Sequence, residues 1–186
     1  MKVIIGVTGK FGSGKSTVAK ILEKKGAKVI NVDEIGHEVL KDEDVKEKLL
    51  KTFGEDIFEN GEVNRKTLAR IVFSSKERLK ELEKILHPKM IEKIKEIVKK
   101  YDGIVVLEAA ILKRMGLDSL CDHVITVVTD EEKIFERMRK KGFSDDEIEK
   151  RLSFQEDVKP IGIILINNGS LEELEEKVSM VWSLMI

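Results

Sequence analysis

The chain has 186 residues, 34 basic and 35 acidic, with a formal net charge of −1. Apolar residues make up 41% and charged residues 37%, which excludes a disordered chain, and no apolar run approaches the ~20 residues of a membrane-spanning helix. The even charge balance gives no bulk argument for nucleic acid or an anionic membrane surface as partner. The length suits one α/β core with a small appendage. The single Cys121 rules out an intrachain disulfide, and Met1-Lys2 leads straight into a strand pattern with no signal-peptide features. Together these point to the cytoplasm.

Residues 2–8 read as a buried parallel strand and residues 17–25 as the helix after it. Between them Gly9-Lys10-Phe11-Gly12-Ser13-Gly14-Lys15-Ser16, followed by Thr17, fits the G-x-x-x-x-G-K-[ST] phosphate-binding loop. Glycine lets the backbone take unusual dihedrals and bring its N–H groups close to a ligand. Those N–H groups and the positive end of the helix dipole form an anion cradle. Lys15 is expected to reach the β- and γ-phosphates of ATP, and the Ser16 hydroxyl to ligate Mg²⁺. The plain alternative is a glycine-rich turn with no ligand.

Lys24-Lys25-Gly26 ends the first helix, with Gly26 as a left-handed cap. Residues 28–32 read as a second strand, ending at Asp33. Ligands of open parallel sheets bind beyond the C-terminal ends of the strands. A carboxylate there can take a proton from a substrate hydroxyl or hold a metal-bound water. The plain alternative for Asp33 is a cap on the next helix, and the two roles can coexist. Apolar spacing then predicts short helices at about 34–41, 43–52, 65–73, 75–86 and 88–100. Gly54 and Asn60-Gly61 mark turns, and His87-Pro88 is expected to break the helical run. Such an insertion would sit over the ligand end of the sheet and hold a second substrate. Its charge runs read mostly as solvated faces.

Residues 104–107 are a continuous apolar run, as in a central strand, and end in Glu108. Glu108 could orient water on Mg²⁺ or be an edge carboxylate without a metal role. Residues 124–128 form a fourth strand. Thr129 with Glu132 reads as a capping box for a helix carrying Arg137, Arg139, Lys140 and Lys141, stopped by Gly142. Ser144 with Glu147 reads as a second box, for a helix through Arg151 and Gln155. Two cation-dense helices joined at a glycine look like a lid whose charges neutralise phosphate, or like a solvated cationic surface. Residues 161–166 read as a fifth strand, and Ser170 with Glu173 caps a last helix whose Leu174, Val178, Val181 and Met185 pack on the sheet. Cys121 reads as a buried small apolar residue. The Lys and Glu bias, with Gln155 the one glutamine, resembles that of proteins from hot environments.

Taken in order, these pieces resemble the dephospho-CoA kinase family over nearly the whole chain. The residues that carry the resemblance are residues 7–16, 29–35 and Leu86-His87-Pro88. Glu108-Ala109-Ala110-Ile111-Leu112, Arg137, residues 151–155 and Asn167-Asn168-Gly169 add weaker support. The resemblance implies an α/β, three-layer P-loop NTPase fold. Its parts would be a five-stranded parallel sheet, a helical substrate-binding insertion and a lid. It places the core at 1–33, 101–136 and 158–186, the insertion at 34–100 and the lid at 137–157. It implies ATP-dependent phosphorylation of the ribose 3′-hydroxyl of dephospho-CoA, with Asp33 as general base and Arg137 as a lid arginine. Asn168 would lie near adenine, and His87, Glu108 and Asp33 near the substrate. The chain departs from the family pattern at Asn31, His37 and residues 110–114, where aspartate, arginine and Pro-Leu-Leu-x-Glu are usual. Those departures leave two other readings: a kinase for a different small acceptor, and a nucleotide-binding regulatory protein without catalysis. A switch GTPase is disfavoured, because no Asn-Lys-x-Asp element is present.

Overall fold

The computed structural model describes all residues, 1–186, and the chain divides into two compact units, Met1–Asn31 with Val98–Ile186, and Val32–Ile97. In chain order the elements are β1 Val3–Thr8, α1 Lys15–Lys24, β2 Lys28–Asn31, α2 Val32–Val39, α3 Glu43–Phe53, β3 Phe58–Glu59, β4 Glu62–Val63, α4 Arg65–Val72 and α5 Lys76–Lys100. They continue with β5 Ile104–Glu108, β6 His123–Val128, α6 Glu131–Lys140, α7 Asp145–Ser153, β7 Ile163–Ile166 and α8 Leu171–Met185.

The first unit is built on a five-stranded parallel sheet in the order β2-β5-β1-β6-β7. The expected parallel sheet is therefore present, and β1, which leads into the glycine loop, is central. Its alternation sends Ile5 and Val7 to one face, where they pack with Val18 and Leu22 of α1 and Leu174, Val178 and Met185 of α8. On the other face Gly6 has no side chain. A Cβ there would lie 2.6 Å from Leu112 Cδ2 and 2.9 Å from Cys121 Sγ, so the missing side chain admits both. Cys121 is half-buried rather than fully buried. Burial, helped by the Asp118 and Asp122 carboxylates, pushes its thiol up to about 12, which keeps it protonated and unreactive at neutral pH.

The expected caps at Ser144 and Ser170 form: their hydroxyls accept from the N–H groups of Glu147 and Glu173 at 3.2 Å each. Gly26 ends α1 as expected. Its N–H donates to Glu23 and that of Ala27 to Leu22, a Schellman pair closed by a φ of 110°. The Thr129 cap does not form. Asp130 precedes α6, and Thr129 is buried with its hydroxyl between the carbonyls of Ser13 and Asn167, at 2.8 and 2.9 Å. A buried hydroxyl near two carbonyls goes to them rather than to a solvent-facing helix end.

The second unit has its own core of Leu40, Val45, Leu49, Ile57, Leu68 and Val72. Asp42 caps α3, accepting from the Val45 N–H at 3.2 Å, and that bond, with Lys89 nearby, holds its carboxyl below its ordinary value. Asn60-Gly61 is a turn, as expected, but it joins an antiparallel hairpin, β3 to β4, that the sequence pattern did not suggest. Two-residue strands leave too little alternation to recognise. The expected break at His87-Pro88 is also absent, since α5 runs unbroken through Pro88. A proline inside a helix costs about 3 kcal/mol. Here Leu79, Leu82, Ile85 and Leu86 pack on the core before it, Met90 and Ile94 are buried after it, and Lys89 pairs with Asp42 at 3.5 Å. Each large apolar side chain buried contributes about 1.5–3 kcal/mol, so packing on both sides outweighs the lost backbone bond.

Candidate functional site

The glycine loop closes over α1 at the C-terminal end of β1, with a hydrogen bond from the Ser13 N–H to the Lys10 carbonyl at 3.0 Å. Gly12 and Gly14 need their φ values of 78° and 103°, which disfavour any other residue. They also need the absence of a side chain. A Cβ on Gly12 would lie 2.8 Å from Ile134 Cγ2, and one on Gly14 would strike Asn167 Nδ2. The loop is therefore packed tightly from two sides.

Inside it, Ser13 Oγ is fully buried and has no hydrogen-bond partner. An unpaired buried hydroxyl costs about 1–3 kcal/mol, and a phosphate oxygen is the kind of acceptor that removes that cost. Lys15 Nζ lies 3.4 Å from the Lys10 carbonyl, folded along the loop. Ser16 Oγ donates to Glu108 Oε2 at 2.9 Å. Glu108 is buried at the end of β5, in register with Val7 on one side and Asn31 on the other. A hydroxyl and a carboxylate oxygen side by side suit a hard cation such as Mg²⁺. Asn31 puts a neutral amide at the register position beside Glu108.

Three further residues hold the loop, and the sequence reading missed their roles. Asn167 is buried, and its Nδ2 donates to the Ser13 carbonyl at 2.9 Å. Thr129 donates to the same carbonyl. Gln155 Oε1 accepts the Phe11 N–H at 2.7 Å. In the sequence Asn167 stands out only within the Asn167-Asn168-Gly169 stretch of the family resemblance; its burial depends on the parallel pairing of β6 with β7, which no local pattern announces.

The α6–α7 hairpin carries the expected cations, in different surroundings from one another. Arg137 donates to the Asn167 carbonyl at 3.0 Å and approaches Thr129 Oγ1 at 3.4 Å. Arg139 is taken up in a bidentate pair with Asp145, at 2.6 and 2.9 Å, which holds that carboxyl below its ordinary value. Arg151 lies over the rings of Phe11 and Phe143, at 4.8 and 5.1 Å. Phe11 therefore packs against the hairpin besides lying in the loop. Asn168 Oδ1 accepts the Asp130 N–H at 2.8 Å and so ties the segment after β7 to the start of α6. Thr17 lies in the first turn of α1.

Two of the sequence-predicted residues fall in the second unit. Asp33 is in the first turn of α2, two residues beyond the end of β2, where its charge suits the helix dipole. It is inside the helix rather than at its cap, because α2 begins at Val32. His87 lies in α5, with Nε2 3.6 Å from Glu83 Oε2.

A family model described as dephospho-CoA kinase matches residues 3–173. A dephospho-CoA kinase of Fusobacterium nucleatum is 38% identical over 183 residues, covering 95% of each chain. The crystal structure of TT1252 from Thermus thermophilus superposes with a TM-score of 0.81 at 33% identity, covering 100% of this chain and 98% of that one. A dephospho-CoA kinase from Campylobacter jejuni gives a TM-score of 0.67 at 26% identity, covering 98% of this chain and 96% of that one. With the glycine loop, the parallel sheet and the Ser16–Glu108 pair in place, the chain belongs to the dephospho-CoA kinase family, whose enzymes use ATP in the final step of coenzyme A synthesis.

Proposed function

We propose that this chain transfers the γ-phosphoryl group of ATP to the ribose 3′-hydroxyl of dephospho-CoA, giving coenzyme A and ADP, with the following division of labour. The N–H groups of residues 12–17 and the Lys15 ammonium bind the phosphates. The Ser13 hydroxyl supplies a further donor. Ser16 and Glu108 would hold Mg²⁺, which when bound neutralises charge on the phosphate oxygens. Asp33 accepts the proton of the 3′-hydroxyl as that oxygen bonds to the γ-phosphorus and the bond to the bridging oxygen of ADP breaks; the proton then passes to solvent. Catalysis of this kind is mainly positioning and charge neutralisation. His87 contributes to the acceptor side, Asn168 lies by the adenine, and residues 137–157 act as a lid, with Arg137 as its phosphate-contacting arginine. A cytoplasmic location fits a chain whose one cysteine can form no intrachain disulfide.

The observation that supports this most is the buried, unpartnered Ser13 hydroxyl inside a loop whose glycines admit no side chain. The test is to incubate the protein with ATP, Mg²⁺ and dephospho-CoA and follow coenzyme A by mass spectrometry. Coenzyme A is expected with the native chain and not with Lys15→Ala. Tight ATP binding without coenzyme A would reject the reading in favour of another acceptor or a regulatory role.

A further inference from the structure

Residue 114, where the family pattern has an acid, carries an arginine with three bonds into one short segment. Its Nε donates to Asp157 Oδ2 at 2.8 Å. One terminal nitrogen donates both to Asp157 Oδ1 and to the Phe154 carbonyl, at 2.6 Å each. This is a fork-to-carboxylate contact with a carbonyl added, and a lysine ammonium cannot reproduce it. The guanidinium also holds the Asp157 carboxyl below its ordinary value, so the pair stays ionised at neutral pH. The bonds fall on both sides of Gln155, one residue before and two after. Gln155 is the residue that accepts the Phe11 N–H of the glycine loop. One turn earlier on α7, Arg151 covers the Phe11 ring.

We propose that Arg114 is a positioning residue for the nucleotide site: by gripping Phe154 and Asp157 it fixes Gln155 under Phe11, and so holds the glycine loop in its phosphate-accepting shape before nucleotide arrives. The proposal rests on reading that loop as the ATP site. Its physical effect is preorganisation. A loop already ordered gives up less entropy on binding, so losing the grip weakens ATP binding more than it slows the transfer step.

The experiment is hydrogen exchange of the Phe11 amide in nucleotide-free protein, paired with calorimetric ATP affinity. The variants are Arg114→Ala, Arg114→Lys, Gln155→Ala and the Arg114→Ala/Gln155→Ala double. Arg114→Ala is expected to lower Phe11 protection by about tenfold. Both single alanine variants should weaken ATP binding by about three- to tenfold, and the double should be no weaker than Gln155→Ala. Arg114→Lys keeps the charge and should leave Phe11 protection low, an effect that charge pairing alone would not produce. Unchanged Phe11 protection in Arg114→Ala, full rescue by lysine, or additive losses in the double would each overturn the proposal. If Arg114→Ala does not fold, Asp157→Asn puts the same question with a smaller change. The exchange readout needs neither ATP nor acceptor, so a failed kinase assay and a failed positioning role give separate results.

Discussion

A Cβ on Gly12 would sit 2.8 Å from Ile134 Cγ2, and one on Gly14 would strike Asn167, whereas a Cβ on Gly54 or Gly61 would meet nothing within 4 Å. All four residues have positive φ. In the helical unit, glycine only lets the chain turn. In the glycine loop it does that and also lets two neighbouring segments, α6 and the stretch at Asn167, close on the backbone. The first role can be lost at the cost of local strain. The second cannot be lost without moving Asn167, α6 or the loop itself. The glycine loop is thus held by exclusion of side chains, while the helical unit is held by burial of them, through Leu49, Ile57 and Leu68.

The largest test of this contrast is at the charged groups the loop presents. Lys15→Ala should lower turnover by on the order of a hundredfold or more and weaken ATP binding with it. Equal ATP affinity in that variant would show that the loop binds without its lysine. Asp33→Ala, outside the loop, should lower turnover by about a hundredfold or more while leaving ATP affinity intact. Near-normal turnover there would remove Asp33 as the base. Next come the glycines. Gly14→Ala should abolish detectable ATP binding and lower Tm, whereas Gly61→Ala should cost only about 1–2 kcal/mol of stability and leave ATP binding unchanged. Equal losses at the two positions would erase the distinction drawn above.

The smallest effect concerns the Arg139–Asp145 pair that closes the turn between α6 and α7. Asp145 has a folded-state value below its ordinary 3.8, so the pair stabilises the fold above that pH, and the contribution disappears as pH falls through the lowered value. Both side chains are more than half exposed, so the effect is small. Asp145→Asn should lower Tm by a degree or two at neutral pH, about what a weak surface pair gives, and the gap from the native chain should close below about pH 4. A gap that persisted at lower pH would assign the stabilisation to packing around Phe135 and Arg139 instead.

What the sequence could tell divides along the same line. The glycine loop, the Ser144 and Ser170 caps and the Gly26 stop are set by residues a few positions apart, so a short window contains their cause. The same is true of the apolar runs that became the sheet. The unbroken helix through Pro88 depends on what Leu79, Met90 and Ile94 bury against, and on Lys89 reaching Asp42, none of which is local. Thr129 was misplaced for the same reason. Its residue type suits a cap, but the carbonyls of Ser13 and Asn167 lie more than a hundred and nearly forty positions away. Arg114 looked like a lost acid; beside Asp157 it is a bonded arginine.

One feature at the rim of the sheet bears on how copies of this chain behave in concentrated solution. β7 is an edge strand, and it leaves Ile164 and Ile166 exposed. Odd-numbered backbone groups face β6, as the Asn167 N–H bond to Val128 shows, so the Ile166 carbonyl points away from the sheet. Such an edge invites a second strand to add to it. The Lys177 ammonium from α8 caps that carbonyl at 2.8 Å. An incoming strand would have to displace a charge bound to the acceptor it seeks. A single lysine thus occupies the outward acceptor that such an added strand would need.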